Sequence, residues 1–371
     1  VGTDELYPPE RLVAARRATA AAGLDALLLT PGSDLRYLTG YDARVSERLT
    51  CLVLPAEGEP TLIVPALERS AAEASPAPAT GVRIVEHADG SDPYPLVAAA
   101  LGGPVATVGL ADRMWAEQVL ALRDALPGVR QGLAGEVLGE LRVRKSPAEV
   151  AALAEAAEAI DAVHRRMGEW LRPGRTEAEV AVDIATAIRA AGHVRVDFVI
   201  VAAGPNGASP HHDTSDRPIG AGEPVVVDIG GTMPSGYRSD CTRTYVAGGP
   251  APAEFSDYYD VLWEAQRAAV TAVRPGMSAE AVDAVARNII ADAGYGAAFL
   301  HRTGHGIGLD GHEEPYVVSG NSRPLEPGMA FSIEPGIYLA GRHGARIEDI
   351  VVCTADGVRR LNTTPTELIA L

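Results

Sequence analysis

The chain has 371 residues, 47% of them hydrophobic and 22% charged, so it can bury an ample core and is not a disordered chain. A net charge of −17 disfavours nucleic acid or an anionic membrane as the main partner. Cys51, Cys241 and Cys353 are odd in number, far apart and without CxxC spacing, which supports neither a disulfide framework nor a cysteine zinc site and fits a reduced, cytoplasmic protein. No signal peptide is visible and no apolar window is long enough for a membrane span.

Two domains are expected from the length. Residues 9–127 alternate helical and strand patterns. Residues 11–22 are alanine-rich and helical, Gly23 stops them, and Ala26–Leu29 is a short apolar strand. Residues 50–55 and 61–65 flank a Glu57-Gly58-Glu59 turn and read as a hairpin. Residues 82–85 and 105–110 are further strands, with helical segments near 66–75 and 112–126. This predicts a small α/β domain, in which nothing gathers carboxylates with histidines. The joint falls at 141–147, giving expected domains of 1–143 and 144–371. There Ser146-Pro147-Ala148-Glu149 forms a capping box with proline in the first turn, and starts a helix expected to reach about Leu171.

The second part repeats itself. Arg172-Pro173-Gly174 ends one helix and Thr176 caps the next, which stops at Gly192. Arg274-Pro275-Gly276, Ser278 and Gly294 follow the same plan, with Arg274 standing 102 positions after Arg172. Segment 222–228 matches 328–334 at an offset of 106, and Asp240 matches Glu348 at 108, a drift that loop insertions produce. Alanine-rich helices can coincide by composition; acids at both matched strand positions do so far less readily. A duplicated helix–helix–strand–strand unit is expected, with a pseudo-two-fold axis relating four carboxylates.

Asp228 follows Val225-Val226-Val227 and so arrives desolvated, while Asp240, Thr242 and Thr244 alternate onto one strand face. Alone, either aspartate would read as a turn cap. Four converging acids repel one another unless cations lie among them, and two divalent ions with one neutral histidine meet that need. The histidine is sought in HRTGHGIGLDGHEEP, residues 301–315. His305 is surrounded by Gly304, Gly306 and Gly308, which leave backbone room for a metal centre, and His301 and His312 flank it. Residues 346–350 have strand character, which puts Arg346 on the same face as Glu348. His211 and His212, on an extended segment, face opposite ways, so at most one enters the pocket.

VVVDIGGTMPSGYRSDCTRTY, GHGIGLDGHEEP, FSIEPGIY and ARIEDIV resemble the signature set of the pita-bread metallopeptidases. The two-domain layout is similar to that of Xaa-Pro dipeptidases (prolidases) and aminopeptidase P, strongly from about residue 144 onward and in outline before it. The resemblance implies a creatinase-like α/β N-terminal domain, serving dimerisation and as an active-site lid. It also implies an α+β pita-bread catalytic domain with an internal pseudo-two-fold repeat. Asp228, Asp240, His305, Glu334 and Glu348 would hold two divalent metal ions, with Asp240 and Glu348 bridging both. Manganese comes first, with cobalt or zinc as alternatives. His211 and His312 would contact the substrate and stabilise the tetrahedral intermediate. Glu334 would shuttle the proton from water to the leaving imino nitrogen, Tyr338 and Arg346 would sit beside the metals, and His301 would form the pocket wall.

The function so implied is a cytoplasmic, homodimeric exopeptidase that hydrolyses the bond preceding proline, in Xaa-Pro dipeptides first. The alternative is an aminopeptidase P acting on longer peptides. A dipeptidase needs a cation for the proline carboxylate, and Arg323, Arg44 and Arg48 are unranked candidates. A creatinase-like amidinohydrolase would lack the metals, which the five retained ligand types argue against. A non-catalytic binding protein on this scaffold would have no physical reason to hold four acids together.

Overall fold

The computed structural model describes residues 2–371, which divide into two units between Arg142 and Val143. The first contains α1 (Thr3–Leu6), α2 (Glu10–Ala21), β1 (Ala26–Leu29), α3 (Ser33–Thr39), β2 (Cys51–Pro55), β3 (Thr61–Pro65) and α4 (Arg69–Ala74). It continues with β4 (Arg83–His87), α5 (Tyr94–Ala100), β5 (Thr107–Leu110), α6 (Ala116–Ala125), β6 (Arg130–Leu133) and α7 (Gly135–Arg142). The six strands form one sheet in the order β4-β3-β2-β1-β5-β6. β2 and β3 pair antiparallel across the predicted turn, whereas β3–β4 and β5–β6 pair parallel because a helix crosses between each. β1, β2 and β3 are buried along their whole length, as their unbroken apolar runs require. α3, α5, β6 and α7 were not among the expected elements. Each spans eight residues or fewer, too short for periodicity to declare it.

The second unit opens with α8 (Pro147–His164), α9 (Glu177–Ala190), β7 (Arg195–Ala203), β8 (Glu223–Thr232) and β9 (Arg238–Ala247). The same plan returns in α10 (Ala253–Ala272), α11 (Ala279–Asp292), β10 (Gly304–Gly306), β11 (Glu313–Val317), β12 (Ala330–Ile333), β13 (Gly336–Leu339), β14 (His343–Arg346) and β15 (Asp349–Thr354). β16 (Gly357–Arg360) and β17 (Ile369–Ala370) close the chain. Hydrogen bonds pair off between the halves at the predicted spacing. Thr176 bridges Pro218 as Ser278 bridges Pro324. Gly174 N–H donates to the Ile219 carbonyl as Gly276 N–H donates to Leu325, and Glu177 N–H donates to Arg217 as Ala279 N–H does to Arg323. Gly222 and Gly328 both take positive φ, at 75° and 91°, in the turns that lead into β8 and β12.

The helix starts follow the sequence signals. Ser146 with Glu149 and Thr176 with Glu179 form complete capping boxes, and Ser278 caps α11. α8, however, ends at His164, well before Leu171. A 3-10 turn at Met167–Glu169 redirects the chain so that Met167, Trp170 and Leu171 join the core beneath the first half. That core unites Ile184 and Ile188 of α9 with Val227, Ile229 and Tyr245 of the sheet. Its counterpart unites Tyr258, Leu262 and Val282 with Phe331, Ile333 and Val351.

The strand expected over 346–350 is two strands. β14 ends at Arg346 and pairs with β13, whereas β15 begins at Asp349 and pairs with β12. The chain changes partner at Ile347 and Glu348, so no single strand can run through. Glu348 N–H instead donates to the Thr242 carbonyl of β9, and Thr244 Oγ1 donates to the Arg346 carbonyl. Among the described residues no helix is long and apolar enough to cross a membrane.

Candidate metal centre

In the antiparallel register of β8 and β9, Asp228 lies opposite Thr242 and Gly230 opposite Asp240. Opposite residues share a sheet face, as do residues two apart, so Asp228, Thr242 and Asp240 line one side of the hairpin. His305 comes from β10, between glycines that pack tightly. A Cβ on Gly304 would lie 1.9 Å from the Ser332 carbonyl oxygen, and one on Gly306 would lie 2.1 Å from that of Glu314. These two glycines therefore let β10 fit between its neighbouring strands, rather than leaving room for metal as the sequence suggested.

Ser332 orders two ligand candidates at once: His305 N–H donates to its Oγ at 2.9 Å, and Oγ donates to Glu334 Oε1 at 2.9 Å. The Gly306 carbonyl can only accept, so His305 donates Nδ1–H to it at 3.1 Å. Nε2 then faces Glu334 Oε1 at 3.1 Å and Asp240 Oδ2 at 3.7 Å. One ligand atom each from Asp240, His305 and Glu348 lie within 4.8 Å of one another, and all three residues are buried.

Asp228 and Glu348 each have one oxygen held by the protein and one without a partner. Arg346 Nη2 donates to Asp228 Oδ2 at 2.6 Å, and Thr242 Oγ1 donates to Glu348 Oε2 at 2.8 Å; Asp228 Oδ1 and Glu348 Oε1 are buried and unpaired. An unpaired buried carboxylate oxygen is costly unless something cationic meets it. The expectation that Arg346 backs Glu348 is corrected here. The break before β15 leaves its guanidinium on Asp228, and Arg346 reaches Glu348 only through Thr242, to which Nε donates at 3.1 Å. Arg346 Nη1 also donates to Tyr338 Oη at 2.8 Å. Tyr338 in turn donates to His301 Nε2 at 2.8 Å, because His301 gives Nδ1–H to the Arg302 carbonyl at 2.7 Å.

The electrostatics are those of acids short of positive charge. Burial, then the charge of Asp228, pushes Asp240 well above the usual carboxylate range; burial, then Asp240, Glu334 and Asp228, does the same to Glu348. Burial opposes a charge on His305, but Glu334 and Asp240 outweigh it and raise its pKa. Glu334 resists burial through the hydrogen bond and charge of His305 and stays below the usual range. Four carboxylates balance two divalent cations in charge, and their oxygens with one imidazole nitrogen form a suitable donor set. The residues fit the group.

His312 stacks edge-on to His305 with ring centroids 4.0 Å apart, and burial, then the His305 charge, lowers its pKa to about 4. His301 is likewise lowered, chiefly by burial. His211 is exposed. Its segment is a turn rather than extended, since His212 N–H donates to the Ser209 carbonyl. The two histidines still part company, with His212 donating from Nε2 to Glu177 at 2.9 Å. Of the arginines considered for a substrate carboxylate, Arg323 lends its carbonyl to the start of α11, and Arg48 pairs with Asp89 at 2.8 Å in the first unit. Sequence reasoning put Thr242 on the Asp240 face but gave it no role, and assigned none to Ser332 or Glu177. The first two did carry a signal, each lying two residues from an acid on a strand; Glu177 looked like an ordinary charge in the first turn of a helix.

Residues 151–355 match metallopeptidase family M24, and residues 11–144 match the creatinase/prolidase N-terminal domain. The chain belongs to metallopeptidase family M24, with a creatinase-like N-terminal domain and a pita-bread catalytic domain. It is similar to "Probable dipeptidase PepE" of Mycobacterium tuberculosis (strain ATCC 25618 / H37Rv), with 55% identity over 367 residues, 99% of this chain and 97% of that protein. It is 36% identical over 359 residues to the Xaa-Pro dipeptidase of Lactobacillus delbrueckii subsp. lactis, covering 94% and 95% of the two chains. The crystal structure of dipeptidase PepE from Mycobacterium ulcerans matches with a TM-score of 0.92 and 56% identity, over 100% of this chain and 99% of that one. Membership of the family implies divalent metal ions.

Proposed function

We propose that this chain is a cytoplasmic Xaa-Pro dipeptidase, active as a homodimer with two divalent cations, manganese first among them. The observation that carries this reading is the buried cluster of acids with His305, in which Asp228 and Glu348 each keep an oxygen without a protein partner. The names of the relatives, a probable dipeptidase and an Xaa-Pro dipeptidase, support a dipeptide substrate. Three buried free cysteines support a reducing compartment. In this reading residues 1–143 serve dimer formation and cover the substrate.

Asp228, Asp240, His305, Glu334 and Glu348 would hold the cations. When bound, the cations polarise the scissile carbonyl and make water nucleophilic at neutral pH. Glu334, ionised at neutral pH, takes up a proton and delivers it to the leaving imino nitrogen. His312, kept neutral by burial, and His211 hydrogen-bond the substrate as its carbonyl becomes tetrahedral. Tyr338, whose phenol burial pushes up to about 12, stays protonated and couples the His301 wall to Arg346. Arg346 balances the charge of Asp228.

The test is hydrolysis of an Xaa-Pro dipeptide beside an Xaa-Pro-Yaa tripeptide and an Xaa-Pro-amide, after chelation and again with manganese added. Dipeptide turnover is expected to vanish on chelation and return with metal. The extended substrates should be slower by about ten- to hundredfold, since one charge-assisted hydrogen bond to the proline carboxylate is worth roughly 1.5–3 kcal/mol. Equal or faster tripeptide cleavage would reassign the chain to the aminopeptidases. Full activity in metal-free protein, checked by elemental analysis, would overturn the metal reading.

A further inference from the structure

We infer that Glu177 is a positioning residue for His211, acting through the loop that carries that histidine. The inference rests on the reading of His211 as a substrate contact. Glu177 is the first residue of α9 and is fully buried. It does not cap its own helix, because Thr176 and Glu179 already form that capping box. Its carboxylate instead gathers five donors from residues 203–215: Ala203 N–H at 2.8 Å, Asn206 Nδ2 at 2.9 Å, His212 Nε2 at 2.9 Å, Ser215 N–H at 3.1 Å and Ser215 Oγ at 2.6 Å. A carboxylate offers about four lone-pair sites, so this one is saturated by a single loop. Burial works to raise the pKa of Glu177, but these donors outweigh it and keep the group charged.

The far side of the same loop rests on β14. A Cβ on Gly344 would lie 2.1 Å from the Gly207 carbonyl oxygen, so the two backbones are in direct contact. Arg346, at the end of β14, donates from Nη1 to the Pro210 carbonyl at 3.4 Å. His211 is thus bracketed: Pro210 is tied to Arg346, which also holds Asp228, and His212 is tied to Glu177. The His211 side chain is itself exposed, so the direction it takes is decided by these two anchors. A closed network around one charge resists deformation more than its separate bonds would. Glu177 therefore sets a side chain that it does not touch.

The experiment is a double-mutant cycle on the manganese-loaded enzyme with an Xaa-Pro dipeptide, using Glu177→Gln, His212→Ala, His211→Ala and each of the first two combined with His211→Ala. Glu177→Gln keeps the size but replaces one acceptor with a donor and removes the charge. It should lower kcat/KM by about ten- to hundredfold, mainly through kcat, with metal content unchanged. His212→Ala removes one limb of the clamp at a half-buried position and should cost about tenfold or less. In the His211→Ala background neither change should add to the loss, whereas a merely structural role would give additive losses and overturn the inference. Amide exchange in metal-free Glu177→Gln should accelerate over residues 203–215 and stay unchanged in β8 and β12. Wild-type kinetics in both Glu177→Gln and His212→Ala, with His211→Ala impaired, would overturn this inference alone. Wild-type kinetics in His211→Ala would overturn the reading of His211 and this inference with it. Should Glu177→Gln fail to fold, the His212→Ala cycle decides by the same criterion.

Discussion

Single hydroxyls do much of the ordering around the acids. Thr242 Oγ1 donates to Glu348 and accepts from Arg346, so one side chain connects a candidate ligand of the second half to the cation that balances Asp228. Thr242→Val keeps the shape and removes both bonds. Manganese affinity of the metal-free protein, measured by calorimetric titration, should weaken by about ten- to hundredfold, the usual effect of losing a partner that orients a ligand. Asp240→Asn, which removes the charge of a candidate ligand, should weaken it further; wild-type affinity in Thr242→Val would show that Glu348 needs no such support. A second residue governs pH dependence. His164 donates Nε2–H to the Cys241 carbonyl and accepts from Tyr245 Oη, and burial, then the Arg243 charge, lowers its pKa from 6.5 to about 3. Between those values the unfolded chain binds a proton that the folded chain refuses. The folded state is therefore not penalised above about pH 6.5 and loses stability as pH falls from there toward 3. At pH 5 this one group should cost about 2 kcal/mol. Urea unfolding of metal-free wild type and His164→Gln at pH 7.5 and pH 5 checks it: the wild type should lose about that much more over the interval, and equal losses would refute it.

Among the elements, β10 is the least forgiving. Its three residues carry His305, and Gly304 presses on the Ser332 carbonyl of β12, where a methyl group would lie 1.9 Å away. Backbone cannot yield as a flexible side chain can, so Gly304→Ala should separate β10 from β12 and displace His305. We expect a loss of about 2 kcal/mol or more in stability and a lower metal stoichiometry. Gly139→Ala is the control: it lies within α7 with open space around the added carbon, and should be neutral or stabilise by up to about 1 kcal/mol. Thermal melts and elemental analysis of both variants separate the two outcomes. The helix starts were legible in the sequence because a capping box is written within four residues. The end of α8 and the break before β15 were not. Each is set by what the chain meets next, a core in one case and a change of strand partner in the other.

At the scale of the whole catalytic unit, the candidate ligands come from both halves of the repeat, Asp228 and Asp240 from the first and His305, Glu334 and Glu348 from the second. The halves are also stitched behind the centre, where Arg243 Nη2 donates to Asp349 Oδ1 at 2.7 Å and Nη1 reaches the Glu348 carbonyl. Cations bound there would hold the two halves together and relieve repulsion among the acids. Binding to the folded state alone stabilises it by about 2.7 kcal/mol per site at a concentration one hundred times Kd. The melting temperature should therefore rise with manganese concentration and fall on chelation, as followed by scanning calorimetry. A melting temperature indifferent to metal would mean that the cluster holds none.

The sequence by itself determined where α8, α9 and α11 begin, that residues 26–29 form an apolar strand, that the second part is duplicated, and which acids and histidines are the candidates for the centre. These are patterns in one dimension: a cap is local, an apolar run needs no partner to be recognised, and a repeat shows as a slowly drifting offset. Only the tertiary structure decided that Arg346 faces Asp228, that one oxygen of Asp228 and one of Glu348 lack partners, and that Gly304 and Gly306 serve strand packing. It alone showed that Glu177 holds the loop of His211. Those relations join residues as far as 118 positions apart, and spacing along a chain carries neither the distance nor the angle at which such residues meet.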